Sequence, residues 1–367
     1  MSTGKIVLTG GGTAGHVTSN IALLPGLRRD GYEVYYIGSY NGIEKNMMEK
    51  EGVPYQGIAT GKFRRYFSLK NFTDPVRVIH GYFEAKRYFR KIQPDILFSK
   101  GGFVAVPVVW AAHSLKIPVV THESDMTPGL ANRLTLRAAA KICCNFPETL
   151  EKLPKGKAVL TGAPIREKLL QGTREEGLKM TGFSGEKPIL MVIGGSLGSV
   201  AINNAIRAIL PRLLEGYDVI HVAGKGNLDP KLTDTKGYRQ YEFISDGLRN
   251  LYAAADIVVS RAGANVICEL LQLCKPNILI PLPLDASRGD QILNARSFEK
   301  QGFSYVLDQH EMEKDNALLY HAIEEVHDKA SEYIRAMQHS QQSNGVDAVL
   351  AVLREVVRNN KEKSKKG

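Results

Sequence analysis

No stretch of the 367-residue sequence approaches the ~18 consecutive apolar residues that a membrane-spanning helix requires, so no segment is expected to cross a bilayer. Met1–Gly4 lead straight into an apolar strand without a signal-peptide pattern. The expected location is therefore the cytoplasm or the cytoplasmic face of a membrane. Cysteine is scarce. Cys143, Cys144, Cys268 and Cys274 lack C-x-x-C spacing and sit in apolar surroundings, which argues for buried, inert thiols rather than disulfides. There is no D-x-D, no H-E-x-x-H and no Cys/His cluster. No metal site and no cofactor is expected, and helix N-termini are left to carry any diphosphate charge.

Charge is present in excess of one sign, but only locally. The chain holds 48 Lys and Arg against 38 Asp and Glu, a net of +10. Lys62 to Lys91 carries nine basic residues against Asp74 and Glu84, and Arg354 to Lys366 carries six against Glu355 and Glu362. These two segments account for all of the excess, which points to a localised anionic partner.

Short apolar strands alternate with helical patterns throughout, the signature of an α/β fold. Strands are expected at Ile6–Leu8, Val34–Ile37, Ile96–Phe98, Val119–Thr121, Ile142–Cys144 and Ala158–Leu160. Gly162-Ala163-Pro164 reads as a domain junction, because Gly and Pro both interrupt regular structure. The pattern then restarts at Ile189–Ile193, with further strands at Asp218–Val222, Glu242–Phe243, Ile257–Val259, Asn277–Ile280 and Ser304–Leu307. A helical pattern over Val346–Val357 runs into the basic tail.

Each half opens with a strand, a glycine loop and a helix: Lys5–His16 (KIVLTGGGTAGH) and Pro188–Ser199 (PILMVIGGSLGS). That order brings backbone N–H groups up to a phosphate. Gly10 to Gly15 formally satisfies G-x-G-x-x-G, yet the second strand ends Tyr36-Ile37-Gly38-Ser39, without the acidic residue a dinucleotide ribose requires. An anion loop with His16 at the helix mouth remains, where His16 is read as a general base or phosphate contact in preference to a plain capping residue. Lys100-Gly101-Gly102-Phe103 and His122-Glu123-Ser124-Asp125 follow two later strands on the same sheet edge, where α/β folds bind ligands. Taken alone, the first reads as a tight turn needing positive φ, and the second is accounted for equally well by a solvated loop. In the second half, Ser260-Arg261-Ala262-Gly263-Ala264-Asn265 opens a helix with Glu269 a turn inside it. Phosphate at the helix start and a ribose on that carboxylate fit a nucleoside diphosphate. Asp290, Gln291 and Asn294 suit sugar hydroxyls, and Arg166 offers a cation.

The segment after Thr73-Asp74-Pro75, a helix-start signal, carries two apolar stripes. Phe72, Val76, Ile79 and Phe83 form one, and Val78, Tyr82, Ala85 and Phe89 the other. A surface helix needs one stripe for its core. The spare one is open to a protein partner or to a membrane, with the basic residues on anionic headgroups. Nucleic acid ranks below both, since no nucleic-acid module accompanies the patch.

Taken together, Gly11-Gly12-Thr13-Ala14-Gly15-His16, Ser260 to Ala264 with Glu269, and Asp290-Gln291 with Asn294-Ala295 resemble the MurG family, from the first strand to the last helix. These bacterial transferases move GlcNAc from UDP-GlcNAc to undecaprenyl-diphospho-MurNAc-pentapeptide, turning lipid I into lipid II in peptidoglycan synthesis. The resemblance implies a GT-B fold of two doubly wound Rossmann-like domains facing across a cleft. Residues 1–163, with helix 344–367 crossing back, would be the acceptor-binding, membrane-associating domain, and 164–343 the UDP-GlcNAc domain. It implies His16 as catalytic base. Donor contacts would come from Thr13, Gly15, Arg166, Ser196, Ala264, Asn265, Glu269, Asp290, Gln291 and Asn294. Gly12, Gly101, Gly102, Phe103, His122 and Asp125 would lie on the acceptor side. Phe72, Val76, Ile79 and Phe83 with Arg64, Arg65, Lys86 and Arg87 would meet the anionic cytoplasmic leaflet. Two rivals share these features: a GT-B transferase acting on another lipid such as diacylglycerol, and a non-catalytic nucleotide-sugar-binding adaptor.

Overall fold

Two separate parallel sheets organise the computed structural model, which describes residues 4–61, 70–195, 198–244, 247–340, 342 and 345–366. The first contains β1 (Gly4–Thr9), β2 (Tyr32–Ser39), β3 (Tyr55–Ile58), β4 (Ile96–Ser99), β5 (Val119–Glu123), β6 (Lys141–Cys144) and β7 (Ala158–Leu160) in the order β3-β2-β1-β4-β5-β6-β7. The second contains β8 (Ile189–Ile193), β9 (Asp218–Val222), β10 (Tyr238–Tyr241), β11 (Ile257–Ser260), β12 (Asn277–Leu279) and β13 (Tyr305–Val306) in the order β10-β9-β8-β11-β12-β13. Helices cover both faces of such sheets, which is why β4 and β5 are buried at every position, including the polar Ser99, Thr121, His122 and Glu123 at their carboxyl ends.

The chain divides into two compact units, Met1–Arg166 with Asn344–Gly367, and Glu167–Ser343. The helix Gly345–Lys366 is part of the first. Its Val349, Leu350, Val352, Leu353, Val356 and Val357 are buried in one cluster with Leu23, Leu24 and Leu27 of the Ala14–Arg29 helix. At roughly 1.5–3 kcal/mol for each fully buried aliphatic side chain, this contact outweighs the exposed Arg354–Asp30 ion pair beside it (2.7 Å). Gly26 permits the close approach, since a Cβ there would stand 2.3 Å from Leu350 Cδ1.

Several expectations shift. The strand expected at Glu242–Phe243 is β10, ending at Tyr241, and Phe243 lies beyond it with 67 % exposure. β3 has no counterpart in the sequence reading, because Tyr-Gln-Gly-Ile is short and its glycine weakens the strand signal. The basic helix runs Lys70–Ile92 and so starts before Thr73, with Pro75 inside it. Ala85 and Phe89 pack into the core with Tyr82 beside them, whereas Val76, Ile79 and Phe83 are 66, 58 and 61 % exposed. The spare stripe is therefore the one containing Val76. Arg87 is exposed and Lys86 half-buried, donating from Nζ to Tyr82 Oη at 3.1 Å. Arg64 and Arg65 lie outside the described residues, as does the side chain of Phe72. Cys143, Cys144 and Cys268 are buried free thiols, but Cys274 is only half-buried.

Candidate active site

Each sheet reverses its strand order once, between β1 and β4 in the first unit and between β8 and β11 in the second. Open α/β sheets bind ligands at the carboxyl ends of the strands flanking such a reversal. All four of these strand ends carry loops singled out by the sequence.

In the first unit, the loops after β1 and β4 pack backbone to backbone. Gly102 has φ +82°, and a Cβ on it would stand 2.3 Å from Gly11 O. Only glycine fits there. Gly12 (φ +86°) has open space where a Cβ would go, and Thr13 precedes the Ala14–Arg29 helix in extended conformation without capping it through its side chain. That helix has no acidic residue in its first turn, so no side chain of its own offsets the positive end of its dipole. Gly15 lies in this turn and accepts from Thr18 Oγ1 at 3.1 Å.

His16 Nδ1 lies 2.9 Å from Gly11 O. A carbonyl only accepts, so Nδ1 carries the proton and Nε2 keeps its lone pair. Burial holds the imidazole below its usual pKa, the Gly11 bond opposes this, Lys100 adds to the lowering and Glu44 opposes it. The ring is neutral at neutral pH, as a proton acceptor must be. Glu44 is itself buried and accepts from Ser39 N (3.0 Å) and Ser39 Oγ (2.6 Å). The sequence reading sought a carboxylate at the end of β2 and missed this one, which arrives from the next helix, Ile43–Lys50.

His122, expected on the acceptor side, has no exposed surface. Its Nε2 donates to Gly162 O (3.0 Å) and its Nδ1 accepts from Lys100 Nζ (2.9 Å), so it supports the loops from beneath. Burial drives its pKa well down, with Lys100 adding to the effect. Glu123 is likewise no surface base. It is buried and accepts from Asn132 Nδ2 (2.7 Å), Gly129 N (3.0 Å) and Asp125 N (3.1 Å), and burial raises its pKa to about 6. Asp125 and Phe103 are half-buried, and Gly101 is buried against Asn132 with φ +84°.

In the second unit, Ser196 lies outside the described residues, and Gly195 and Gly198 flank it with φ +97° and +78°. Arg261, directly after β11, is buried and joins three loops. It donates to Ile280 O (3.0 Å), Pro281 O (3.3 Å) and Ser199 Oγ (2.7 Å), and burial lowers its pKa to about 10. This clamp presents the helix Ala264–Gln272, whose Gly263 N-cap supplies no side-chain oxygen and whose first turn has no acid. Asn265 and Glu269 are half-buried, one turn apart on that helix. Asp290 and Gln291 open the helix Asp290–Lys300, and Gln291 Oε1 accepts from Leu282 N at 3.1 Å. Asn294 is fully buried and donates from its amide to Ala262 O at 3.4 Å, bracing the loop after β11. Arg166 is half-buried just past the junction. Among the described residues no His/Cys/Asp/Glu group is arranged to hold a metal ion.

The glycosyltransferase family 28 N-terminal domain matches residues 6–144, and the family 28 C-terminal domain matches residues 189–351. The chain is 58 % identical over 351 residues to the UDP-N-acetylglucosamine--N-acetylmuramyl-(pentapeptide) pyrophosphoryl-undecaprenol N-acetylglucosamine transferase of Lachnospira eligens, covering 96 % of this chain and 99 % of that one. It is 57 % identical over 352 residues to the enzyme of the same name from Lachnoclostridium phytofermentans, with the same coverage of 96 % and 99 %. The crystal structure of Acinetobacter baumannii MurG superposes with a TM-score of 0.77 at 23 % identity, over 96 % of this chain and 99 % of that one.

Proposed function

The chain belongs to glycosyltransferase family 28, and within it to the MurG family. From that premise we propose that it transfers GlcNAc from UDP-GlcNAc to the MurNAc 4-hydroxyl of undecaprenyl-diphospho-MurNAc-pentapeptide, with inversion. The observation that carries the reading is the state of His16, a neutral imidazole with Nε2 unprotonated beside an open helix N-terminus.

The acceptor diphosphate sits on the Gly12 and Gly101-Gly102 loops of the first unit, with Phe103 and Asp125 at the rim. His16 Nε2 takes the proton as the 4-hydroxyl oxygen bonds to the anomeric carbon. The bond from that carbon to the phosphate oxygen breaks, and UDP leaves with the electron pair. N–H groups at Ala264 and Asn265 take up the charge that develops on the diphosphate. Glu269 holds the ribose, Gln291 and Asp290 the sugar hydroxyls, and Arg166, Ser196, Thr13 and Gly15 add contacts to the donor. Arg261 and Asn294 keep these loops in place.

Residues 1–163 with 344–367 act on the acceptor, and 164–343 on the donor. Val76, Ile79 and Phe83, joined by Phe72, Arg64, Arg65, Lys86 and Arg87, dock on the anionic cytoplasmic leaflet, where the acceptor's lipid resides. One feature supports docking: the exposed apolar stripe of Val76, Ile79 and Phe83.

The test is transfer of radiolabelled GlcNAc from UDP-GlcNAc to a short-chain lipid I analogue. Label in the lipid product is expected. Label in diacylglycerol instead, or in neither, overturns the proposal.

A further inference from the structure

A buried carboxylate stands behind the His16 loop, and the proposed transfer does not use it. Glu44, in the helix Ile43–Lys50, is 1 % exposed. Its Oε1 accepts from Ser39 N and Ser39 Oγ at the end of β2, and Tyr55 Oη of β3 donates to the Ser39 carbonyl at 2.5 Å. Glycines make room for the carboxyl group. A Cβ would stand 2.1 Å from Glu44 Oε2 at Gly42 and 2.9 Å from Glu44 Oε1 at Gly11. Gly11 is the link to the site, because its carbonyl accepts the Nδ1–H of His16 at 2.9 Å. One residue therefore packs on the carboxylate and holds the imidazole.

Anchoring Ser39 does not require a charge. Glutamine has the same length, and its amide oxygen would accept both Ser39 bonds without the desolvation that a buried carboxylate costs. Among the described residues, Glu44 forms no ion pair with a lysine or arginine. A positive charge does form beside it in the proposed reaction. When the 4-hydroxyl proton passes to His16 Nε2, the ring becomes an imidazolium, with the Gly11 peptide between it and Glu44. In a buried site of low dielectric, a fixed negative charge behind that peptide stabilises the charge as it develops. We infer that Glu44 is a positioning residue for the transfer, a carboxylate that steadies the Gly11 carbonyl and supplies the counter-charge to the His16 imidazolium. The inference rests on the proposed reaction and adds the group that supports its base.

The other groups facing His16 lack that charge. Burial and Lys100, from the end of β4, lower its basicity, while the Gly11 carbonyl and Glu44 raise it. His122, from the end of β5, lies close enough to feel the His16 charge, and burial keeps it neutral. Around Glu44, burial raises the phenols of Tyr36 on β2 and Tyr55 on β3, so both stay protonated. Among these groups Glu44 alone brings negative charge to the ring.

The test uses Glu44→Gln in the full chain, which keeps the shape and removes the charge. NMR of ¹³C-histidine-labelled protein reads the His16 pKa without any substrate, its signal assigned by its loss in His16→Ala. That pKa is expected to fall by roughly half a unit, because the protonated ring loses a nearby opposite charge. With the lipid I analogue, the acid limb of kcat/KM moves down by the same amount. The plateau kcat falls by about fivefold, and both KM values hold within about twofold. Glu44→Asp keeps the charge but withdraws it from Gly11 by one methylene. It is expected to shift both readouts in the same direction by a smaller amount, and it serves where Glu44→Gln fails to fold. An unmoved His16 pKa with an unmoved acid limb overturns the inference, and wild-type transfer to lipid I then leaves the proposed function standing. A wild-type chain that transfers nothing to lipid I overturns the function, and with it the role of Glu44, even where His16 titrates lower in the variant.

Discussion

Among the described residues, a lysine, a histidine and two carboxylates lie beneath the glycine loop of the first unit, whereas one guanidinium lies beneath that of the second. Lys100, His122, Glu44 and Glu123 are all buried around the loops that carry His16. In the second unit Arg261 ties Ser199, Ile280 and Pro281 together. The nearest imidazole to that loop's supporting strands, His221, is buried between Asn203 and Tyr238 and pushed down to about 3, so it stays neutral. The two sheets share a topology and differ in what they can titrate. On the proposed mechanism, proton transfer falls to a loop whose supports tune a base, and holding a leaving diphosphate falls to a loop whose support never changes charge near neutrality. The pH dependence of the proposed transfer should therefore arise in the first unit alone.

The largest break in this comparison comes from His16→Ala. Losing a general base costs about 10²–10⁴-fold, so kcat/KM for transfer is expected to fall by that factor while UDP affinity holds. Steady-state assays paired with UDP titration read both, and an equal loss of UDP affinity would erase the division of labour. Arg261→Met strikes the other loop. It takes a buried donor from two carbonyls and from Ser199 Oγ, which keeps only the bond from Ile202 N (3.4 Å), and about 2–4 kcal/mol of stability is expected to go. Denaturant unfolding measures this. UDP binding should weaken as well, with the acid limb of the rate profile unmoved.

Much of this was legible in the sequence for a local reason. A glycine loop, its strand and the helix it opens are contiguous, so Gly10–His16 and Ser260–Glu269 declare themselves by turn chemistry. The reversals of strand order bring together what contiguity cannot. Lys100 and His122 are 22 positions apart, and they meet only because β4 and β5 lie side by side. Polar residues after strands were equally ambiguous: nothing in the sequence of His122, Glu123 and Asn294 tells that all three are buried and hydrogen-bonded within the fold. The Lys70–Ile92 helix shows the same limit, since its periodicity gives two stripes but not which one the sheet covers.

Glu123 sharpens the comparison at lower cost. Its folded pKa of about 6 lies above the usual 4.5, so the folded state favours the protonated form. The stabilisation this brings is complete below pH 4.5 and is lost as pH rises through 6, amounting to about 2 kcal/mol. Glu123→Gln removes the titration. The stability of wild type relative to the variant is therefore expected to rise as pH falls from about 7 to 5, read by denaturant unfolding at both ends.

The smallest effect is expected on the surface of the Lys70–Ile92 helix, where two apolar stripes meet opposite fates. Ala85 is fully buried and Ile79 is 58 % exposed. An acid at position 79 meets water, so Ile79→Asp should change folding stability by no more than about 0.5 kcal/mol. The same change removes an apolar contact with lipid and sets a negative charge among Lys86, Arg87 and their neighbours. Sedimentation with anionic vesicles should register a several-fold loss of binding, roughly 1 kcal/mol, and with neutral vesicles a smaller ratio that reports the apolar contact without the charge repulsion. If the ratio collapses on neutral vesicles, the stripe acts only through charge. If Ile79→Asp binds anionic vesicles like the wild type, the Val76, Ile79 and Phe83 face is no lipid contact, and the basic residues alone must hold the first unit at the leaflet.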